Sequence, residues 1–196
     1  MYQGMNRVHD RWSIWTNIQY RSHDSGINIE QMLLRTSANY HFSKNLLICE
    51  GYTYVPSYAF EGDVLNPSIE ENRIFEQLLI KQLAPHVFIE HRLMLEHRWT
   101  DIFYKNRFRY RLFLTIPLNK KYIEGYTWFF ALYDEVFLNI QNEAFDRNRI
   151  YGALGYQFNE YTGMHVGMLN QSLKNYDKWY FQLMLVWNPD FRSEIK

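Results

Sequence analysis

Arginine and glutamate recur at two-residue spacing through the second half of the sequence: Glu90, Arg92, Glu96 and Arg98, then Arg107, Arg109 and Arg111, then Glu135, then Arg147 and Arg149. A guanidinium is a planar, permanently charged fork that binds a carboxylate or a phosphate through two parallel bonds. Residues two apart share one face of an extended strand. These runs therefore make either an interlocking set of internal ion pairs or a site for a small anion or lipid headgroup, the latter centred on Glu135, Arg147 and Arg149. The internal network is the favoured reading, because each run of arginines has carboxylates within strand-pairing reach.

Other reactive side chains are scattered. Seven histidines (His9, His23, His41, His86, His91, His97 and His165) show neither a paired-histidine helix motif nor metal-ligand clustering, so no metal and no cofactor is expected. His165 with Ser172 is the natural candidate for a lipid-hydrolysing dyad. Seven residues apart, they fall on opposite faces of one strand, and an ordinary serine and histidine are the favoured reading. Cys49 is the lone cysteine, which excludes an internal disulfide. Gly152 and Gly155 have no helix after them that could cradle phosphate, and they are expected to relieve crowding against neighbouring aromatics.

What positions these side chains is a series of strands. Aromatic residues make up 18% of the 196-residue chain while the mean hydropathy is −0.43, a pairing that points to alternation rather than apolar runs. No stretch is apolar for the 18 or so residues that a membrane helix needs. Equal numbers of acidic and basic residues, 21 each, leave no bulk field to attract nucleic acid.

Period-two alternation runs from end to end. Trp12, Ile14, Thr16, Ile18 and Tyr20 oppose Arg11, Ser13, Asn17, Gln19 and Arg21, with Trp15 as the exception. Met32, Leu34, Ala38, Tyr40 and Phe42 oppose Gln31, Arg35, Ser37, Asn39 and His41. Both faces of 46–55 carry apolar residues and stay unassigned. Further strands are expected at about 72–82, from Ile89 through Arg98, from Arg107 to Pro117, and at about 127–139, 145–159, 164–172 and 179–188. In the strand at 127–139, Asp134 breaks the apolar face. Tight turns are expected at 43–45 and 84–86 and the longest loop at 56–71. The whole chain, 1–196, reads as one all-β domain: a closed, antiparallel, up-and-down barrel of about ten strands, within a range of eight to twelve. An even count would place both termini at one end.

Alternation alone does not say which face is inside, since soluble and membrane barrels both have one polar face. The cations decide. Lys44, Lys120, Lys121, Lys174, Lys178 and Lys196 fall in turns or the tail, and Lys81 and Lys105 near strand ends, leaving arginine in mid-strand, as an enclosed polar face favours. Pairing around 140–144 sets Glu135 opposite Arg149, and Glu96 comes within reach of Arg107 and Arg109. Trp12, Trp99, Trp128, Trp179 and Trp187 lie near strand ends on the apolar set, where indole rings favour a headgroup boundary. The expectation is a transmembrane barrel with an apolar exterior and a charged, largely plugged lumen.

The same segments resemble the predicted outer-membrane barrels of diderm bacteria grouped as domain-of-unknown-function family 2490. The resemblance is carried by Glu90-His91-Arg92, Glu96-His97-Arg98-Trp99, Arg107-Phe108-Arg109-Tyr110-Arg111, Ile116-Pro117-Leu118, Asp134 to Asn139, the stretch Asp146 to Phe158, and Gly167-Met168-Leu169-Asn170-Gln171. It implies a bacterial outer-membrane location, with an export signal preceding this numbering, and no reaction or catalytic residue. The expected partners are outer-membrane lipids, with protein partners met through extracellular loops and no nucleic acid. The sequence does not speak to oligomeric state. The functional expectation leans away from an enzyme, toward structure, adhesion or partner binding. The alternatives are a membrane-embedded lipid hydrolase or deacylase and a soluble lipocalin-like carrier with its aromatics inside.

Overall fold

A computed structural model describes residues 1–24, 28–60, 62–141 and 143–192. Lys196, and one position each of the expected 56–71 loop and 140–144 turn (61 and 142), lie outside the described residues. Eleven strands are described: β1 (Tyr2–Arg7), β2 (Trp12–Ser22), β3 (Ile29–His41), β4 (Leu46–Ser57), β5 (Ile69–Ala84), β6 (Val87–Trp99), β7 (Tyr104–Pro117), β8 (Thr127–Asn139), β9 (Phe145–Gln157), β10 (Thr162–Leu173) and β11 (Asp177–Trp187). They form one sheet closed into a barrel, each strand antiparallel to the next, with β1 and β11 completing the ring as a parallel pair. The ten strands expected from alternation correspond one for one to β2 through β11.

The eleventh is β1, six residues long and without the alternation that marks the others. An odd count makes the closing pair parallel, since strands of an up-and-down series alternate in direction. β1 pairs with β2 along its whole length, Tyr2 facing Ile18 and Arg7 facing Ser13. Against β11 it pairs at Tyr2 with Leu185 and Gln3 with Val186, and Arg7 bridges to Asp190. Beyond β11, Arg192 approaches Asp190 to 2.5 Å, and its hydrogen bonds hold that carboxyl down at about 2. Because β1 is short, the stretch of β2 beyond Ile18 and the first half of β11 have no strand between them, and the wall carries a half-height notch there.

Why the chain closes this way is clearest in β8. Trp128, Phe130 and Leu132 point outward and are exposed, while Thr127, Phe129 and Ala131 between them are buried. β4, whose faces alternation left open, puts Leu47, Cys49, Thr53 and Val55 inside and Ile48, Glu50 and Tyr52 outside. Apolar residues on both of its faces reflect a lumen that is apolar at Leu47, Cys49 and Leu79. The expected loop at 56–71 shortens to 58–68, because β4 and β5 continue pairing out to Ser57 and Ile69. Lys178, expected in a turn, instead lies within β11 and reaches Glu30 on β3 at 2.7 Å.

Gly155 packs tightly against an aromatic ring on the inner wall. A Cβ there would lie 2.3 Å from the Phe129 ring. This bears out crowding against an aromatic, whereas Gly152 has only Leu132 at 3.5 Å, an ordinary contact. Gly155→Ala should destabilise the barrel by about 1–3 kcal/mol through overpacking. Phe129→Leu in the same chain should recover most of that loss. Urea unfolding followed by tryptophan fluorescence checks both, and an unchanged midpoint for Gly155→Ala would show that the wall yields there.

Candidate functional site: a guanidinium and carboxylate lattice in the lumen

Inward-pointing residues of β5 to β9 bring the charged runs together inside the barrel. At the centre is Glu96, fully buried and placed opposite Arg107 by the β6 and β7 register. Its Oε2 accepts from Arg107 Nε at 2.9 Å and Nη2 at 2.6 Å, and its Oε1 accepts from Arg109 Nη1 at 2.7 Å. Arg73 on β5 adds a third cation, 3.8 Å from Oε1. Arg109 also spans to Glu135 through Nε at 3.1 Å and Nη2 at 2.7 Å, and Arg92 donates to the same Glu135 oxygen at 2.5 Å. Arg109 thus joins two carboxylates from different strands.

Toward the rim, Arg111 donates to Glu90 at 2.8 Å, and Arg98 and Arg73 both donate to Glu71, at 2.5 and 2.7 Å. Asp146, displaced by the irregularity between β8 and β9, turns in to accept from Arg107 at 2.8 Å and from Arg147 at 3.2 Å. The Phe137 ring carries three guanidinium groups within 5.0 Å of its centroid: those of Arg107, Arg109 and Arg149. Desolvating charges this deeply costs several kcal/mol per ion, and only such multiple bonding offsets it.

All ten side chains expected in the charge network face the lumen or its rim, and Glu96 pairs with Arg107 and Arg109 as expected. One expected pairing is overturned. Glu135 does stand opposite Arg149 in the strand register, yet its bonds go to Arg92 and Arg109, while Arg149 Nε and Nη2 both bond Gln171 Oε1, at 2.9 and 2.7 Å. The inner barrel is narrow enough for β6 and β7 side chains to reach across, so the diagonal donors displace the one directly opposite.

Arg21, Arg35, Glu71, Arg73 and Asp146 belong to the lumen as well. Arg21 and Arg35 stood on the polar set of their strands and Arg73 inside the expected strand at 72–82, but Glu71 becomes visible only once the strand starts at Ile69, and a bulge residue such as Asp146 leaves no periodic trace. The luminal cavity, about 240 Å³, is lined by ten arginines. Five carboxylates bond to them: Glu71, Glu90, Glu96, Glu135 and Asp146.

The hydrolase candidates do not meet. His165 is buried in the lumen with Nδ1 2.8 Å from the Tyr151 hydroxyl, while Ser172 faces outward and donates to Asn170 at 3.0 Å. Among the described residues no group of three or more His, Cys, Asp or Glu side chains is placed to hold a metal ion. Of the six tryptophans, Trp15 points inward beneath Arg35 and the other five lie on the outer face. Trp12, Trp128 and Trp187 ring one rim, and Trp99 and Trp179 lie toward the other. The outer face is otherwise mostly aliphatic and aromatic. It is interrupted at Asp134, which accepts from Asn148 at 2.7 Å, and at Glu50 and Glu76, which stand opposite each other on β4 and β5.

A family model described as protein of unknown function (DUF2490) matches residues 1–182. Neither a curated protein nor a solved structure gives a match.

Proposed function

The chain belongs to the DUF2490 family of proteins of unknown function, and from that premise we propose that it is a non-enzymatic outer-membrane β-barrel whose lumen is largely plugged by its own ion pairs. The observation that carries the reading is the outer face. Ile14, Ile18, Ile74, Phe130, Leu154 and Leu183 are each more than a third exposed. A mostly apolar outer face of this kind, broken at Asp134, Glu50 and Glu76, is what marks a membrane or partner surface rather than the scattered apolar residues of a soluble monomer. Strands of 11 to 16 residues, for β2 to β11, are long enough to cross a bilayer when tilted. Aromatics at both rims and arginine inside complete the pattern of outer-membrane barrels.

The rim with the two-residue turn between β5 and β6 would face the periplasm, and the rim with the 58–68 loop would face outward. Loops on that outward rim would serve structure, adhesion or partner binding. Ion pairs as dense as those of Glu96 and Glu135 leave only the cavity already described, which supports a plugged lumen rather than a diffusion channel.

Extraction is the test. Membranes from expressing cells should release the protein only into detergent, and the extracted band should migrate differently in gels before and after boiling. A monodisperse species in plain buffer, with its tryptophans quenched no more than those of an ordinary soluble protein, would overturn the membrane assignment.

A further inference from the structure

We propose that the notch end of the lumen is a binding site for a phosphate-type oxyanion, held between Arg21, Arg147 and Arg149. The two halves of this site come from opposite sides of the notch. Arg149 faces Gln171, and Gln171 faces Lys178, across β9, β10 and β11. Arg147 lies one inward position closer to the rim on β9. Arg21 comes from β2, beyond the point where β1 stops filling the wall.

These three cations are under-neutralised for reasons visible in the geometry. Arg149 spends Nε and Nη2 on a single amide oxygen, and Nη1 makes no bond to any described residue. Arg21 donates to two more amide oxygens, Gln31 at 3.2 Å and Gln19 at 3.3 Å, and lies over the Tyr180 ring at 5.6 Å. Neither has a carboxylate within 4.0 Å among the described residues. Arg147 shares its one acid, Asp146, with Arg107. The carboxylates that might serve are engaged elsewhere: Glu135 with Arg92 and Arg109, Glu30 with Lys178. Arg21 meanwhile feels the charge of both Arg147 and Arg149.

Three guanidinium groups with one shared carboxylate, Asp146, among them match the tetrahedral array of acceptors on a phosphate group. The lumen cavity and the cleft at the notch share Met1, Gln19, Arg21, Leu169 and Gln182, so a ligand can reach the arginines sideways through the wall. Free phosphate and the phosphodiester of a lipid headgroup present the same chemistry. The charge imbalance stands whether or not the barrel sits in a membrane, and only the lipid source depends on that placement.

The purified barrel, titrated with inorganic phosphate at constant ionic strength set by chloride, should give one saturable calorimetric transition and a raised unfolding temperature. Arg149→Gln and Arg21→Gln should each weaken that binding at least tenfold, and Lys44→Gln in the turn at the opposite rim should not. In phosphate-free buffer Arg149→Gln should unfold no lower than the parent, because it removes a repelling charge, and that comparison separates loss of binding from loss of fold. If Arg149→Gln does not fold, Arg21→Gln alone carries the comparison. Reconstitution into phosphatidylglycerol or phosphatidylcholine nanodiscs followed by native mass spectrometry separates the sources. A phospholipid retained by the parent and lost in Arg21→Gln supports the lipid, and phosphate binding with no retained lipid supports the free anion. Phosphate acting no better than chloride, with no lipid retained, or variants that bind as the parent does, would overturn the site.

Discussion

Glu96→Leu should leave a chain that no longer reaches the folded form. The substitution removes the one acceptor shared by Arg107 and Arg109 and approached by Arg73, all three buried. Stranding one buried charge costs about 3–5 kcal/mol. Here three cations lose their common counter-charge, although Asp146, Glu135 and Glu71 keep part of the balance. The measurement is urea-induced unfolding in detergent, with gel mobility before and after boiling as the second readout. Parent-like unfolding of Glu96→Leu would show that water enters the lumen freely enough to solvate those arginines.

Glu135→Leu should have the next largest effect, and a double-mutant cycle locates its cause. Arg92 donates to Glu135 at 2.5 Å and has no other carboxylate within 4.0 Å among the described residues, so adding Arg92→Leu to Glu135→Leu should recover a large part of the loss. The expected coupling is about 0.5–3 kcal/mol, the range for neighbours within one bonded network. Arg149→Leu should show little coupling to Glu135→Leu, although the two residues stand opposite each other in the sheet. Coupling to Arg149 as strong as to Arg92 would contradict the bonding pattern.

That contrast marks how far the sequence reaches. Alternation specifies the inward set because a strand's side-chain period is two, so a one-residue error would have turned every arginine outward. It also places Glu135 across from Arg149. What alternation does not contain is the barrel's cross-section. Whether a long side chain bonds its direct neighbour or a residue two strands away depends on lumen width, and Glu135 turns to Arg92 on β6 for that reason. β1 was invisible because Tyr2-Gln3-Gly4-Met5-Asn6-Arg7 has no periodic face to read. Glu71 fell to a boundary set three residues late, and Asp146 to a bulge, where alternation locally fails. The rim positions of Trp12, Trp128 and Trp187 were legible because each sits within a residue or two of an expected strand end.

The parallel joint between first and last strands also governs how fast the molecule can form. Every other pairing in the ring is a hairpin between neighbours in the chain, whereas Met5 and Asn188, bonded at that joint, are separated by 183 positions. Loop entropy must be surrendered before so distant a contact returns anything. The hairpins should therefore assemble as a curled ribbon first, and circularisation should set the overall rate. Substitutions near Gln3 and Val186 should accordingly slow maturation, while comparable changes in the β6 and β7 hairpin should chiefly alter the lifetime of the finished fold.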